Sequence, residues 1–132
     1  MTGTLTRLAP HMLSLLRVAA ALLILQHGTT KVLAFPATQM TGVGLTTLPG
    51  LAGLIELFGG ALLLVGFYSR SAAFILSGMT AVAYFMIHAP NSFFPVVNGG
   101  ELAALYCFVF FYLVFAGPGP WSVDVLRGSD KT

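Results

Sequence analysis

Charge is what this sequence has least of. Its six Lys and Arg and four Asp and Glu make up 8% of 132 residues, about a third of the share usual in a soluble domain. The formal net charge of +2 rests on those ten residues, and no two basic residues are adjacent. Without a basic run or stripe, a nucleic-acid partner is not expected. Cys107 stands alone, so there is neither an internal disulfide nor a CxxC or zinc-type cluster. No flavin, haem or iron–sulfur signature accompanies it, and electrons for any redox step would have to come from another protein.

What fills the chain is apolar. Hydrophobic residues reach 57% and the mean hydropathy is +0.90, a surface that lipid tolerates and water does not. The length allows one domain, here taken as residues 1–132. Four apolar runs carry it, at about 12–35, 48–67, 71–88 and 100–116, the third and fourth near the lower limit of roughly 17 residues for a membrane span. Pro36 stops the first, Ala89-Pro90 the third and Gly117-Pro118-Gly119-Pro120 the fourth, while Pro49 sits in the first turn of the second. The short Ser69-Arg70-Ser71 link makes helices two and three antiparallel neighbours. Continuous apolar runs cannot supply the alternating strands of a membrane barrel. The expected fold is therefore all-α, an integral membrane four-helix bundle.

Arg7 ahead of an apolar run resembles a signal peptide, but no small-residue cleavage site follows and the segment is kept as a span. Four spans put Arg7, Arg70, Arg127 and Lys131 on one side. By the positive-inside rule both termini are expected in the cytoplasm, with Trp121 and Tyr68 as interfacial anchors.

Ionisable residues within spans are costly and need partners or a water-filled cavity. On helix one Arg17, Ile24, Gly28 and Lys31 fall within an arc of roughly 60°, with His27 about 40° from Lys31. On helix two Glu56 is flanked by Ala52, Gly53, Gly59 and Gly60, small residues that admit another helix, so it faces protein. Ser77, Ala81, Tyr84 and His88 form one stripe, and Glu101, Leu105, Phe108 and Tyr112 another. The topology places His27, Lys31, Glu56, His88 and Glu101 in the non-cytoplasmic half, with Arg17 on the inner side reaching toward Glu56.

Each has a structural reading beside the functional one. Arg17 and Glu56 serve as glue between helices, Lys31 snorkels at a helix end, and His88 satisfies a free carbonyl before Pro90. Asn98-Gly99-Gly100-Glu101 has the spacing of a capping box, Asn98 as N-cap and Glu101 at N3. No metal ligand set is expected. The run Phe108, Phe110, Phe111, Tyr112 and Phe115 reads as lipid-facing and packing surface, and Cys107 as a buried small apolar residue.

Several short motifs recur in order along nearly the whole chain: Leu15-Leu16-Arg17, His27-Gly28-Thr29-Thr30-Lys31, Glu56-Leu57-Phe58-Gly59-Gly60 and Gly66-Phe67-Tyr68-Ser69-Arg70. His88-Ala89-Pro90-Asn91, Asn98-Gly99-Gly100-Glu101-Leu102-Ala103, and Gly117-Pro118-Gly119 ahead of Trp121-Ser122-Val123-Asp124 complete the set. With these the chain resembles the DoxX family of small bacterial membrane proteins. The resemblance implies a four-helix fold in the bacterial plasma membrane and an association with redox biology, including membrane subunits of thiosulfate:quinone oxidoreductase, quinone detoxification and oxidative-stress complexes. A quinone-like ligand would then find hydrogen-bond donors in His27, Lys31, Tyr84 and His88 and proton carriers in Glu56 or Glu101. A soluble oxidoreductase partner, membrane lipid and a homo-oligomer are the expected associations. A non-catalytic scaffold or assembly factor, and a small-solute or proton pathway, are the alternatives.

Overall fold

A computed structural model of the chain describes residues 2–130; Lys131, counted above among the charges of one side, lies outside them. The described residues contain helices and turns and no strand. The elements are α1 (Thr2–Val32), α2 (Leu48–Val65), α3 (Ser69–Ala83), the short α4 (Pro95–Asn98), α5 (Glu101–Ala116) and a last short α6 (Val123–Leu126). Three helical segments are long and apolar enough to cross a membrane, Gly3–Val32, Leu48–Val65 and Ser69–Asn91, with Glu101–Ala116 a shorter apolar helix beside them.

Several boundaries that differ from the sequence expectation have a local cause. The first helix begins ten residues earlier than expected and carries Pro10 inside it, where the C-terminal tail packs: a Cβ on Gly119 would stand 3.0 Å from the Pro10 carbonyl oxygen. It ends at Val32 rather than Phe35 because the Thr29 carbonyl accepts both the Leu33 and Phe35 N–H groups and Ala34 turns left-handed at φ 58°. Thr30 then holds the turn through the Pro36 carbonyl and the Thr38 hydroxyl. The second helix stops at Val65 because Gly66 adopts φ 73° and the N–H groups of Gly66 and Phe67 return to Leu63 and Leu62. Its start is as the sequence suggests, with Thr47 capping the Gly50 N–H and Pro49 in the first turn. The third begins at Ser69, two residues early, and past Ala83 loosens into a π turn at Tyr84–His88 and a 3-10 turn at Ala89–Asn91. There the Ala89 N–H reaches back to Tyr84 just before Pro90.

The bundle is two helix pairs side by side. The α1 helix packs most extensively on α2, α3 on α5, and α2 joins the pairs through α3. The core is narrow: Ala20, Ala21, Ala73, Ile24, Leu63, Leu76, Leu113, Tyr106 and Phe110. Helices in lipid gain little by burying apolar surface and instead approach through small residues, and α1 and α2 do so at Gly28. A Cβ there would lie 2.4 Å from the Leu57 backbone nitrogen. Gly60 receives Ile24 and Leu25, Gly53 receives the Lys31 stem, and Gly59 receives Leu76 from the other side. The small-residue face flanking Glu56 is thus filled by α1 and α3. Outward-facing aromatics such as Phe58, Phe74, Phe85 and Phe108 suit a lipid surround. Phe110 does not belong with them: it is wholly buried and stacks on Tyr106 at 5.5 Å. Cys107 is half-buried rather than buried.

The Gly28 contact is backbone against side-chain hydrogen, with nothing that can yield. Gly28→Ala is expected to lower stability in detergent by about 1–3 kcal/mol, the usual range for overpacking. Gly78, in α3 with nothing within 4 Å of an added Cβ, should take alanine without loss in the same thermal unfolding assay.

Candidate functional site

The charges divide into two groups at opposite ends of the bundle. At the end where the C-terminal tail folds back, Arg17 is 1% exposed and its guanidinium makes four hydrogen bonds, all to backbone oxygens. Nε donates to Pro118 at 2.8 Å, Nη1 to Leu63 at 2.5 Å and Leu64 at 2.7 Å, and Nη2 to Trp121. Leu63 and Leu64 lie in the last turn of α2, where carbonyls lack helical partners and the helix dipole is negative. The expected reach of Arg17 toward Glu56 is not what forms, because Arg17 is a cap, and an interhelical clamp, at the other end.

Two more charges at that end work in the same way. Arg70 Nη1 donates to Val114 and Phe115 in the last turn of α5, at 2.6 and 2.7 Å, while its Nε and Nη2 pair with Asp130. Asp124 accepts the N–H groups of Tyr68 and Ser69 at 2.9 and 2.8 Å, supplying the start of α3 with the cap that Tyr68, left-handed at φ 48°, lacks. Burial opposes the charge on Asp124, but the Ser69 and Tyr68 N–H groups and nearby Arg127 outweigh it and hold the carboxyl below its ordinary value.

The other end holds the residues with chemistry to spare. Lys31, in the last turn of α1, donates to both oxygens of Glu56 on α2, at 2.9 and 2.7 Å. The two side chains are only 10% and 7% exposed. The snorkelling reading of Lys31 gives way to a shielded ion pair, which forms because Gly28 and Gly53 let α1 and α2 meet one turn away. Beside it stand His27, within electrostatic range of Lys31, and Tyr106 of α5, within range of Glu56. The two rings meet edge to face at 6.3 Å. Tyr106 is 7% exposed, and among the described residues neither its hydroxyl nor the His27 ring nitrogens make a hydrogen bond.

Tyr84 and His88 form a separate network around Asn98. His88 Nδ1 meets the Asn98 carbonyl at 3.1 Å, and Asn98 Nδ2 donates to Ser92 O at 2.9 Å and to the Tyr84 hydroxyl at 3.4 Å. The expected capping box does not form: Gly100 is the N-cap of α5, Asn98 Oδ1 takes the Gly100 N–H at 2.7 Å, and Glu101 is exposed. Of the seven residues singled out from sequence, then, the structure gathers His27, Lys31 and Glu56 at one place and Tyr84 and His88 at a second. Arg17 and Glu101 belong to neither. Tyr106 was overlooked because the polar stripe of α5 was read through Glu101, Leu105, Phe108 and Tyr112, all of which are exposed. The buried side is a different face, where Tyr106, Phe110 and Leu113 recur at helical spacing, and no polar contrast marks it in the sequence. No group of three or more His, Cys, Asp or Glu stands together as a metal site among the described residues.

A model of the DoxX family matches residues 12–89, more than half of the chain. The chain belongs to the DoxX family. A Haemophilus influenzae protein, described there as uncharacterized, is 45% identical over 127 residues, 92% of this chain and 95% of its own length. No solved structure matches. The DoxX match runs from α1 to the end of the π turn and so contains Arg17, His27, Lys31, Glu56, Tyr84 and His88. Tyr106 and the tail that receives Arg17 lie beyond it.

Removing the Arg17 fork leaves four carbonyls competing for partners, each worth about 1–3 kcal/mol if unpaired. Arg17→Met and Arg17→Lys should both lower the thermal midpoint sharply in detergent, since an ammonium cannot span the same four oxygens. For Asp124 the native value lies below the unfolded one of 3.8, so its contribution is complete above that pH and is lost as pH falls through the native value. Asp124→Asn is expected to flatten the acid limb of stability against pH.

Proposed function

We propose that this DoxX-family protein is a multi-pass protein of the bacterial plasma membrane, with both termini in the cytoplasm, that binds a quinone-like molecule at the Lys31–Glu56 pair and works with a partner oxidoreductase. The orientation follows from Arg7, Arg70 and Arg127, all at the tail end. The observation that carries the ligand reading is the unused hydrogen-bonding capacity beside the ion pair. The Tyr106 hydroxyl and His27 ring have no partner, while Lys31 keeps one ammonium proton beyond the two given to Glu56. A carbonyl-bearing ring takes donors of this kind, and Glu56 with Lys31 offers a proton acceptor and donor in contact. Tyr84 and His88 stand in the separate network around Asn98, where the Tyr84 hydroxyl accepts from Asn98 Nδ2 and keeps its own proton to donate.

A second reading, a non-catalytic scaffold, is favoured by a different observation: Arg17, Arg70 and Asp124 all serve helix ends. Under it Lys31–Glu56 is one more interhelical tie.

Titration of the purified protein in lipid nanodiscs with a short-chain quinone separates the two. Tyr106→Phe should weaken binding about tenfold, the upper range for one hydrogen bond, and Glu56→Gln should weaken it further. Absence of saturable quinone binding, together with no quinone in lipid extracted from the purified protein, sinks the ligand reading.

A further inference from the structure

The segment between α3 and α5 exposes an apolar cluster that the ligand reading does not use: Phe93 is 87% exposed, Phe94 62%, Val96 73% and Val97 70%. Its depth can be read from the two helices it joins. Arg70, in the first turn of α3, bonds the last turn of α5, so α3 starts and α5 ends at the same level, at the tail end. From Arg70 the helix rises about 21 Å to Tyr84 and about 31 Å to Asn91, at 1.5 Å per residue. The sixteen residues of α5 rise only about 24 Å, short of the roughly 30 Å hydrocarbon core.

Contacts agree with that arithmetic. A Cβ on Gly100 would stand 2.7 Å from the Tyr84 ring and 2.8 Å from His88 Cβ, and Asn98 bonds both of those side chains. The chain therefore climbs to Asn91, then turns back down to enter α5 at the level of the π turn. Phe93 to Val97 lie on the descending stretch, within the upper third of the thickness that α3 and its continuation span.

Irregular backbone at that depth must satisfy itself, and this stretch does so where it is bonded. The Val97 and Asn98 N–H groups return to Phe94 O at 2.9 Å, and the Phe94 N–H meets Ser92 Oγ at 3.3 Å. Asn98 closes the loop, donating to Ser92 O and accepting from Gly100 N–H. Its polar side chain points inward while the phenyl and isopropyl groups point out.

We infer that residues 92–98 form a re-entrant cap embedded in the leaflet at the Lys31 end, with Phe93, Phe94, Val96 and Val97 in contact with acyl chains. Asn98 is the clasp that allows it. The cap completes the fourth crossing that α5 is too short to make. This inference stands on the membrane-spanning fold and is independent of any ligand at Lys31 and Glu56.

Single-tryptophan proteins test it. In a Trp121→Phe background, Phe94→Trp and, as a second position, Phe93→Trp are reconstituted into phosphatidylcholine vesicles with or without brominated acyl chains. Phe85→Trp on the π turn is the lipid-facing reference. The expected result is loss of most emission in brominated lipid at positions 94 and 93, matching the reference, with no effect of aqueous iodide. Quenching by iodide in place of bromolipid would place the segment in water, and protection from both would mean that protein covers it. Either outcome overturns the inference.

Discussion

The fold depends on how helix ends are satisfied where water is scarce. Each helix leaves carbonyls without partners at its C-terminus, and in this chain two of those ends are closed by arginines from other helices. Arg17 closes α2 and Arg70 closes α5. The guanidinium suits the task because its fixed fork reaches several oxygens at once without giving up its charge. Arg17 does more than cap. By bonding Pro118 and Trp121 as well, it fastens the tail to the helix pair α1–α2, and the Ser14 hydroxyl adds the Trp121 N–H at 3.1 Å.

Separating structural charge from spare charge follows from this. At the tail end the buried charges Arg17 and Asp124 are bonded to backbone groups, while His11 Nδ1 and Ser69 Oγ are buried there without a hydrogen-bond partner. At the opposite end Lys31 and Glu56 bond each other, side chain to side chain, with a tyrosine and a histidine beside them whose polar atoms are uncommitted. Buried pairs of this kind add little to stability relative to apolar packing, so the pair is not explained by stability alone. Its position, one turn from the tightest helix crossing at Gly28, fixes its geometry within narrow limits.

Much of this was legible in the residues. The four apolar runs mark the four main helices, Pro49 marks the start of α2, and the glycines around Glu56 announced a close helix approach. Long-range side-chain to backbone contacts were not legible. Nothing in the vicinity of Arg17 indicates that its partners are 46 to 104 residues away, because a carbonyl carries no residue identity. For the same reason the sequence pairs Arg17 with Glu56, the nearest complementary charge by type, whereas the structure gives Glu56 to Lys31. The π turn at Tyr84 and the descent from Asn91 were equally hidden: Ala89-Pro90 signals an end to regular helix, not the manner of ending. Tyr106 was obscured because α5 is apolar on all sides, leaving no contrast by which one face could be told from another.

The cap on α3 has a consequence for the order in which this protein becomes itself. Asp124 lies 55 residues after the Ser69 N–H that it receives, and Pro118 and Trp121, which take Arg17, are also near the end of the chain. Synthesis delivers α1, α2 and α3 first, with the guanidinium of Arg17 and the start of α3 both short of their partners. Those bonds wait until residues 118–124 have followed α1, α2 and α3 out of the ribosome, so the ties of both helix ends form late.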